Sequence, residues 1–436
     1  LDQPLRHPAI HPASQIEAKP ARADSTIEVS FVMPCLNERE TIARCVEAAQ
    51  RCIQRHGLAA EIVIGDNGST DGSRELARAA GARVIEIPVR GVGAAIMGAV
   101  AAARGRYIIM GDSDLQHDFE ECYPFIEKLR TGHFDLVMGS RLTGTIMPGA
   151  MRTLNRYVGN PLLSAIGRLL FRAPVSDFHC GLRAFTKESF DRLGLRTIGF
   201  EFTTEHIAKT ALKGQRIAEI PITVHPEGRT RPPHLRPFRD GWRTLRFMLL
   251  LSPRWTLAIP GAIIALVGFL LAALVATGPF KIAGLAFDIH TLVLACMMVL
   301  VGYTATTIAV AARLYALVEE IGPPAPNLSK LTSKFTLERG LLFGLALLAA
   351  GLALVGITVY QAFAQRLELS NVTTTLRPTI IGATLIALGA QTLLMSFFYS
   401  MLGVRHTSSV PPIGTAAPAS SSQVEPKTNP STATTR

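Results

Sequence analysis

The chain has 436 residues, 48% of them hydrophobic and 18% charged, and its mean hydropathy of +0.28 is too high for a wholly soluble protein. A net charge of +11 calls for an anionic partner such as phosphate, a membrane surface or nucleic acid. Six scattered cysteines with no CxxC pair, and no histidine cluster at zinc spacing, exclude a zinc module or disulfide framework and fit a reducing compartment.

Residues 1–24 lack the apolar core of a signal peptide and read as a disordered tail, as does the Ser/Thr/Pro-rich 404–436. Between them, 25–235 alternates strand and helix signals. The β-branched run 27–34, closed by Pro34, precedes a helix over 39–56 with Ile42, Val46, Ala49 and Ile53 on one face. A strand at 61–66 turns through Ser69, Thr70 and Asp71 into a helix over 73–80. Strands at 82–88, 106–112 and 134–139, with helices over 93–104 and 119–130, continue the pattern. Such alternation predicts an α/β fold with a doubly wound, mostly parallel sheet, whose ligands sit beyond the carboxyl ends of the strands. Glu38, Asp66, Asp112 and Asp114 all fall just past such ends.

The stretch RYIIMGDSDLQHDF, 106–119, runs a core strand into three carboxylates. In extended backbone Asp112, Asp114 and Gln116 share a face. Two carboxylates and an amide oxygen are hard ligands for Mg²⁺ or Mn²⁺. A calcium EF-hand is excluded, because its sixth position would be His117 rather than Gly and its twelfth Tyr123 rather than Glu. Asp118 reads as a helix cap. The run RGVGAAIMG is no dinucleotide fingerprint: Ile96 stands where the last small residue belongs, and Gly93 instead allows close backbone approach.

The motifs MPCLNE (33–38), GDNGSTDGS (65–73), RGVGAAIMGAVAAARGRYIIMGDSDLQH (90–117), VMGSR (137–141) and VSDFHCGLRAF (175–185) together resemble the family 2 glycosyltransferases. More narrowly they are similar to the polyprenyl-phosphate sugar synthases, of dolichyl-phosphate mannose or glucose synthase type. The resemblance covers about 27–250 and implies a GT-A type fold and an inverting, metal-dependent hexosyltransferase. It also implies that Pro34, Glu38 and Asp66 hold the nucleotide, with Gly93 near it. Asp112, Asp114 and Gln116 would hold the divalent cation against the donor diphosphate, which makes Asp114 catalytic, and Arg141 would lie among the phosphates. Arg141 is the first choice for bridging donor and acceptor phosphates, followed by Arg152, Arg156 and Arg183.

Beyond Arg141, residues 147–172 place Met151, Leu154, Val158, Leu162, Ile166 and Leu169 at helical spacing with arginines interleaved. Such a segment reads either as a membrane-interface helix or as a core-facing helix with a basic outer side. A second basic amphipathic stretch, within 236–254, reads as an interface helix because a membrane span follows it directly. Apolar runs at 256–277, 290–312, 340–362 and 379–402 make 255–403 a four-helix membrane domain, each run long enough for a ~30 Å hydrocarbon core. Loop 313–339 is richer in Lys and Arg than 278–289 or 363–378, which predicts a cytoplasmic catalytic domain and cytoplasmic termini in the cell membrane.

The expected activity is transfer of a hexose from UDP-glucose or GDP-mannose to a polyprenyl or dolichyl phosphate, with a homo-oligomer left open. A phosphate acceptor is already ionised near neutral pH, so no base is assigned. Glu205 is a base candidate and equally a helix-surface acid. A hydroxyl acceptor on a lipid or polysaccharide is the alternative within the same class; a non-catalytic lipid-linked sugar transporter is the alternative outside it. A processive polysaccharide synthase is disfavoured because Arg254-Trp255 lacks the preceding Gln of Q-x-x-R-W, and no base-stacking module supports nucleic-acid binding.

Overall fold

The computed structural model describes residues 27–230, 237–282, 285–318, 336–364 and 372–403. Both expected tails, the 235/236 boundary and the loop lysines Lys330 and Lys334 lie outside the described residues.

The first half is a seven-stranded sheet. Its opening elements are β1 (Val29–Cys35), α1 (Ile42–His56), β2 (Ala60–Asp66), α2 (Ser73–Ala79), β3 (Arg83–Glu86), α3 (Val92–Ala102) and β4 (Tyr107–Met110). There follow α4 (Tyr123–Arg130), β5 (Leu136–Ile146), α5 (Asn160–Phe171), β6 (Arg183–Thr186), α6 (Lys187–Asp191), α7 (Phe202–Leu212) and β7 (Ile217–Val224). Strand order is β3-β2-β1-β4-β6-β5-β7, parallel except for β6, which runs antiparallel between β4 and β5.

The sheet is buried on both faces, as parallel strands must be. Phe31, Val32, Met33, Val63, Ile64, Ile108 and Ile109 are inaccessible, and α1 covers one side with Ile42, Cys45, Val46, Ala49 and Cys52. Gly57 takes the left-handed conformation that ends α1. Asp118 caps the turn Phe119–Glu121 by accepting the Glu120 amide at 2.8 Å, in the capping role its sequence predicts.

Helix α8 (Pro237–Leu250) packs on α5 and α7, buries Met248 in the core and is tied to the domain by an Arg243–Glu201 pair at 2.9 Å. Four helices then run over α9 (Ile259–Val275), α10 (Ile289–Val318), α11 (Leu337–Ala364) and α12 (Val372–Gly403). Each is long and apolar enough to cross a membrane, the apolar spans being Arg254–Val275, Ile289–Ala316, Leu337–Ala364 and Thr375–Leu402. The parallel-dominated sheet followed by four apolar helices is the architecture that the sequence predicts. A short hairpin, Phe280–Ile282 with Leu285–Phe287, joins α9 to α10.

Seams of small residues draw these helices together. A Cβ on Gly351 would meet the Gly382 carbonyl at 2.6 Å, and one on Gly268 the Ala295 carbonyl at 2.6 Å. Tyr303 and Thr392 share a hydroxyl hydrogen bond of 2.6 Å between α10 and α12.

Candidate active site

Strands β1, β2 and β4 end along one edge. Cys35 pairs with Asp66 and Val32 with Met110, so the segments that follow each strand meet there. Pro34 accepts the Ser113 hydroxyl at 2.7 Å, and the Thr41 hydroxyl donates to the Ser113 carbonyl at 2.7 Å. Asp66 is buried; it accepts the Gly68 amide at 3.1 Å and the Ser69 amide at 3.2 Å, with Arg74 3.4 Å away. Its carboxylate thus shapes the turn that follows β2.

After Met110 the chain is not extended. Leu115 has φ of 68°, and the Gln116 amide donates to Asp114 at 3.1 Å. Strand alternation therefore does not group Asp112, Asp114 and Gln116: a tight turn brings the Gln116 backbone to Asp114, while the Gln116 side chain reaches Glu227 at 3.5 Å. Asp112 keeps 45% of its side chain exposed, with His117 Nε2 3.9 Å from Oδ2. Burial raises its carboxyl above the usual range, opposed by Arg141, Arg229 and Arg183. Asp114 is pushed up to about 6, by burial first and the charge of Asp112 second.

Carboxylates held this uncomfortably are stabilised by a cation. A Cβ at Gly181 would lie 2.4 Å from Asp112 Oδ2 and 3.2 Å from His117 Nε2, so the glycine leaves room for that carboxylate. No three His, Cys, Asp or Glu side chains stand ready to hold a metal among the described residues. Two carboxylates and an amide fit a cation that takes its remaining oxygens from a bound ligand, as Mg²⁺ commonly does.

Strand β5 is irregular between Ser140 and Thr145, a bulge that re-aims Arg141. Its guanidinium grips Asp177 through Nε at 2.6 Å and Nη2 at 2.9 Å, and its own amide donates to the same carboxylate at 3.1 Å. Asp177 is inaccessible, and Arg141 holds its carboxyl below the usual range against the opposing effect of burial. Glu219 on β7 fixes that loop by accepting the Ser176 and Asp177 amides at 2.8 and 3.0 Å. The Arg141 Nη1 edge makes no hydrogen bond among the described residues.

Arg183 has no route to a phosphate. It is inaccessible and donates to the carbonyls of Cys180 at 2.9 Å and Thr203 at 2.6 Å. Glu205 is neither a surface acid nor a poised base. It is buried, pairs with Lys209 at 2.7 Å and accepts the Thr197 amide at 2.8 Å. The close approach at Gly93 is internal: a Cβ would lie 2.3 Å from the Thr197 carbonyl.

Arg152 is exposed, and Arg156 lies with its guanidinium 5.3 Å from the Tyr157 ring, in the segment entering α5. There Leu154, Tyr157, Val158, Leu162 and Leu169 are exposed while Ser164, Gly167 and Phe171 face inward. The core-facing alternative therefore fails for these apolar residues. On α8, Phe238, Trp242 and Leu250 are likewise exposed.

The sequence did not point to the segment 225–230. His225 and Gly228 donate backbone hydrogen bonds to the Gln116 and Asp114 carbonyls at 3.0 and 2.9 Å. Arg229, 9% exposed, reaches Glu38 at 2.8 Å, Glu227 at 2.6 Å and Asp114 at 3.3 Å. The only cue was a charged EGR triplet just after a strand.

Residues 30–194 match the model for glycosyl transferase family 2, and 310–403 that for the glycosyltransferase family 2 C-terminal transmembrane region. The chain is similar to the low-salt glycan biosynthesis hexosyltransferase Agl6 of Haloferax volcanii, 34% identical over 384 residues, covering 87% of this chain and 91% of that one. To the dolichyl-phosphate hexose transferase of the same organism it is 32% identical over 217 residues, 49% of this chain and 89% of that one. To the undecaprenyl-phosphate 4-deoxy-4-formamido-L-arabinose transferase of Salmonella paratyphi B it is 28% identical over 264 residues, 57% and 75% of the two chains.

Proposed function

The chain belongs to glycosyl transferase family 2, and from that premise we propose that it moves a hexose from a nucleotide sugar to a polyprenyl or dolichyl phosphate. The donor is UDP-glucose or GDP-mannose, and the reaction takes place on the cytoplasmic face of the cell membrane with inversion at the anomeric carbon. One observation carries this reading. The acidic turn of half-exposed Asp112 and buried Asp114 is joined through one sheet domain to α5 and α8, which expose leucines, Trp242 and arginines in the way a membrane interface requires. Two of the relatives carry a polyprenyl-type phosphate in their names, which supports the same acceptor class.

Asp112, Asp114 and Gln116 would hold a divalent cation, which when bound neutralises charge on the leaving diphosphate. The remaining work falls to the chain's own groups. Glu38, Asp66 and the Pro34 turn shape the nucleotide side, with Gly93 keeping α3 close behind it. The Arg141 guanidinium, near enough to Asp112 for its charge to act there, would draw the acceptor phosphate toward the anomeric carbon. Arg152 and Arg156 line its approach from the bilayer. An acceptor phosphate oxygen forms the new bond to the anomeric carbon as the bond to the diphosphate breaks.

Because a phosphate monoester has a second pKa of about 6, its oxygen attacks without a base. Glu205, the base that a hydroxyl acceptor would use, is already committed to Lys209 and two backbone amides. Incubating the purified protein with a panel of nucleotide sugars, Mg²⁺ or Mn²⁺, and either polyprenyl phosphate or polyprenol tests the proposal. Transfer to the phosphate alone, silenced by EDTA, is expected. Transfer to polyprenol but not to its phosphate overturns it.

A further inference from the structure

The guanidinium of Arg229 faces three carboxylates from three separate stretches of chain. Nη1 lies 2.8 Å from Glu38 Oε1, Nε 2.6 Å from Glu227 Oε2 and Nη2 3.3 Å from Asp114 Oδ2. The contact is built rather than incidental. The backbone around it is fixed at Gly228, whose amide donates to the Asp114 carbonyl at 2.9 Å. On the other side Thr230 donates through its amide and hydroxyl to Glu40 at 2.7 and 2.8 Å. A Cβ on Gly228 would lie 2.5 Å from Leu115 Cδ1, so this backbone approaches the acidic turn as closely as only glycine permits.

We propose that Arg229 is a built-in cation: it holds Glu38 and Asp114 in position and occupies their charge until a divalent cation and a donor diphosphate arrive together. This inference rests on the metal reading above. A cation arriving alone must pull Asp114 Oδ2 away from a charge-assisted partner, an exchange with little net gain. A cation arriving with a diphosphate returns anionic oxygens to the pocket, against which the displaced guanidinium is again neutralised. Arg229 is thus a positioning residue, and it makes metal affinity depend on nucleotide. One charge-assisted hydrogen bond is worth ~1.5–3 kcal/mol, so removing this competitor should tighten binding of the metal alone by about tenfold or more.

The test titrates Mn²⁺ into the full-length protein in detergent and follows the free aquo-ion signal by electron paramagnetic resonance, alone and with UDP or GDP. The wild type should bind Mn²⁺ weakly alone and markedly tighter with one of the nucleotides. Arg229→Gln should bind Mn²⁺ alone about tenfold or more tighter and lose most of the nucleotide dependence. Glu227→Gln, which loosens Arg229 without removing a proposed metal ligand, should shift the same way by less and carries the test if Arg229→Gln does not fold. Unchanged or weaker Mn²⁺ binding in both variants, with the wild type still binding Mn²⁺ and nucleotide, overturns the role of Arg229 and leaves the metal reading intact. A wild type that binds no Mn²⁺ with either nucleotide overturns both.

Discussion

Arg141 and Arg229 both set positive charge near Asp112, but they are held by different means. Arg141 is clamped in a two-pronged pair with an inaccessible aspartate, whereas Arg229 is shared among three carboxylates. Removing one member of a buried pair leaves the other charge stranded, at a cost of about 3–5 kcal/mol. Arg141→Ala should therefore lower the melting temperature as well as turnover, and Asp177→Asn should share the stability loss. A lysine at 141 copies the charge but not the fork, so it should recover only part of either. An unchanged melting temperature in Arg141→Ala would refute the clamp. Glu205→Gln separates structure from chemistry in the other direction. It weakens the tie to Lys209 and the 196–197 amides, so thermal stability should fall while turnover per folded molecule stays within a few-fold. Loss of turnover at unchanged stability would restore Glu205 as a base and favour a hydroxyl acceptor. Neither pairing was visible in the sequence, because Asp177 lies 36 residues from Arg141 and Arg229 lies 191 from Glu38. Motif spacing reports what a strand end presents, not which distant loop folds back over it.

At the scale of elements, α3 is joined tightly to the loop before α7. A Cβ on Gly91 would lie 2.1 Å from the Ile198 carbonyl, and Gly91 sits at φ of 140°, so a side chain meets both backbone and strain. Gly91→Ala should lower the melting temperature clearly, while Gly241→Ala, with open space around it in α8, should leave stability unchanged or raise it by up to about 1 kcal/mol. Equal effects in thermal denaturation would refute the tight joint. The exposed faces of α5 and α8 give a separate test of the interface reading. Leu154→Glu with Leu162→Glu, or Trp242→Glu alone, should raise the KM for lipid phosphate several-fold and leave the donor KM unchanged; a rise in the donor KM alone would reassign that face. Period-3.6 apolar spacing identified the helix around 151–172, but only burial decided which way it faces. Periodicity also found strands β1 to β5, whereas β6 (Arg183–Thr186) and β7 (Ile217–Val224) lie beyond the strand–helix alternation and are not read as strands from it. Leu115 in the left-handed region likewise defeated the same-face argument that had grouped the carboxylates.

For the whole molecule, orientation follows from connectivity and charge together. Helix α8 is fixed to the sheet domain by Arg243–Glu201 and runs directly into the first apolar span, so the span's Arg254 end lies on the catalytic side. Four crossings in succession would return the chain to that side after α12 and would place the Phe280–Phe287 hairpin and Arg377, paired with Asp288, on the other. Positive charge should favour the cytoplasmic side, and Arg254, Arg313 and Arg339 all fall at the catalytic-side ends, against Lys281 and Arg377 opposite. All six native cysteines are buried, so a single introduced cysteine can be read against a quiet background. Lys281→Cys should react with a membrane-impermeant maleimide added outside intact cells, and Thr336→Cys should react only after permeabilisation. The reverse pattern would put the Asp112–Asp114 edge outside, where cytosolic nucleotide sugars are absent. The proposed donor would then fail even if every contact in the cleft were correct.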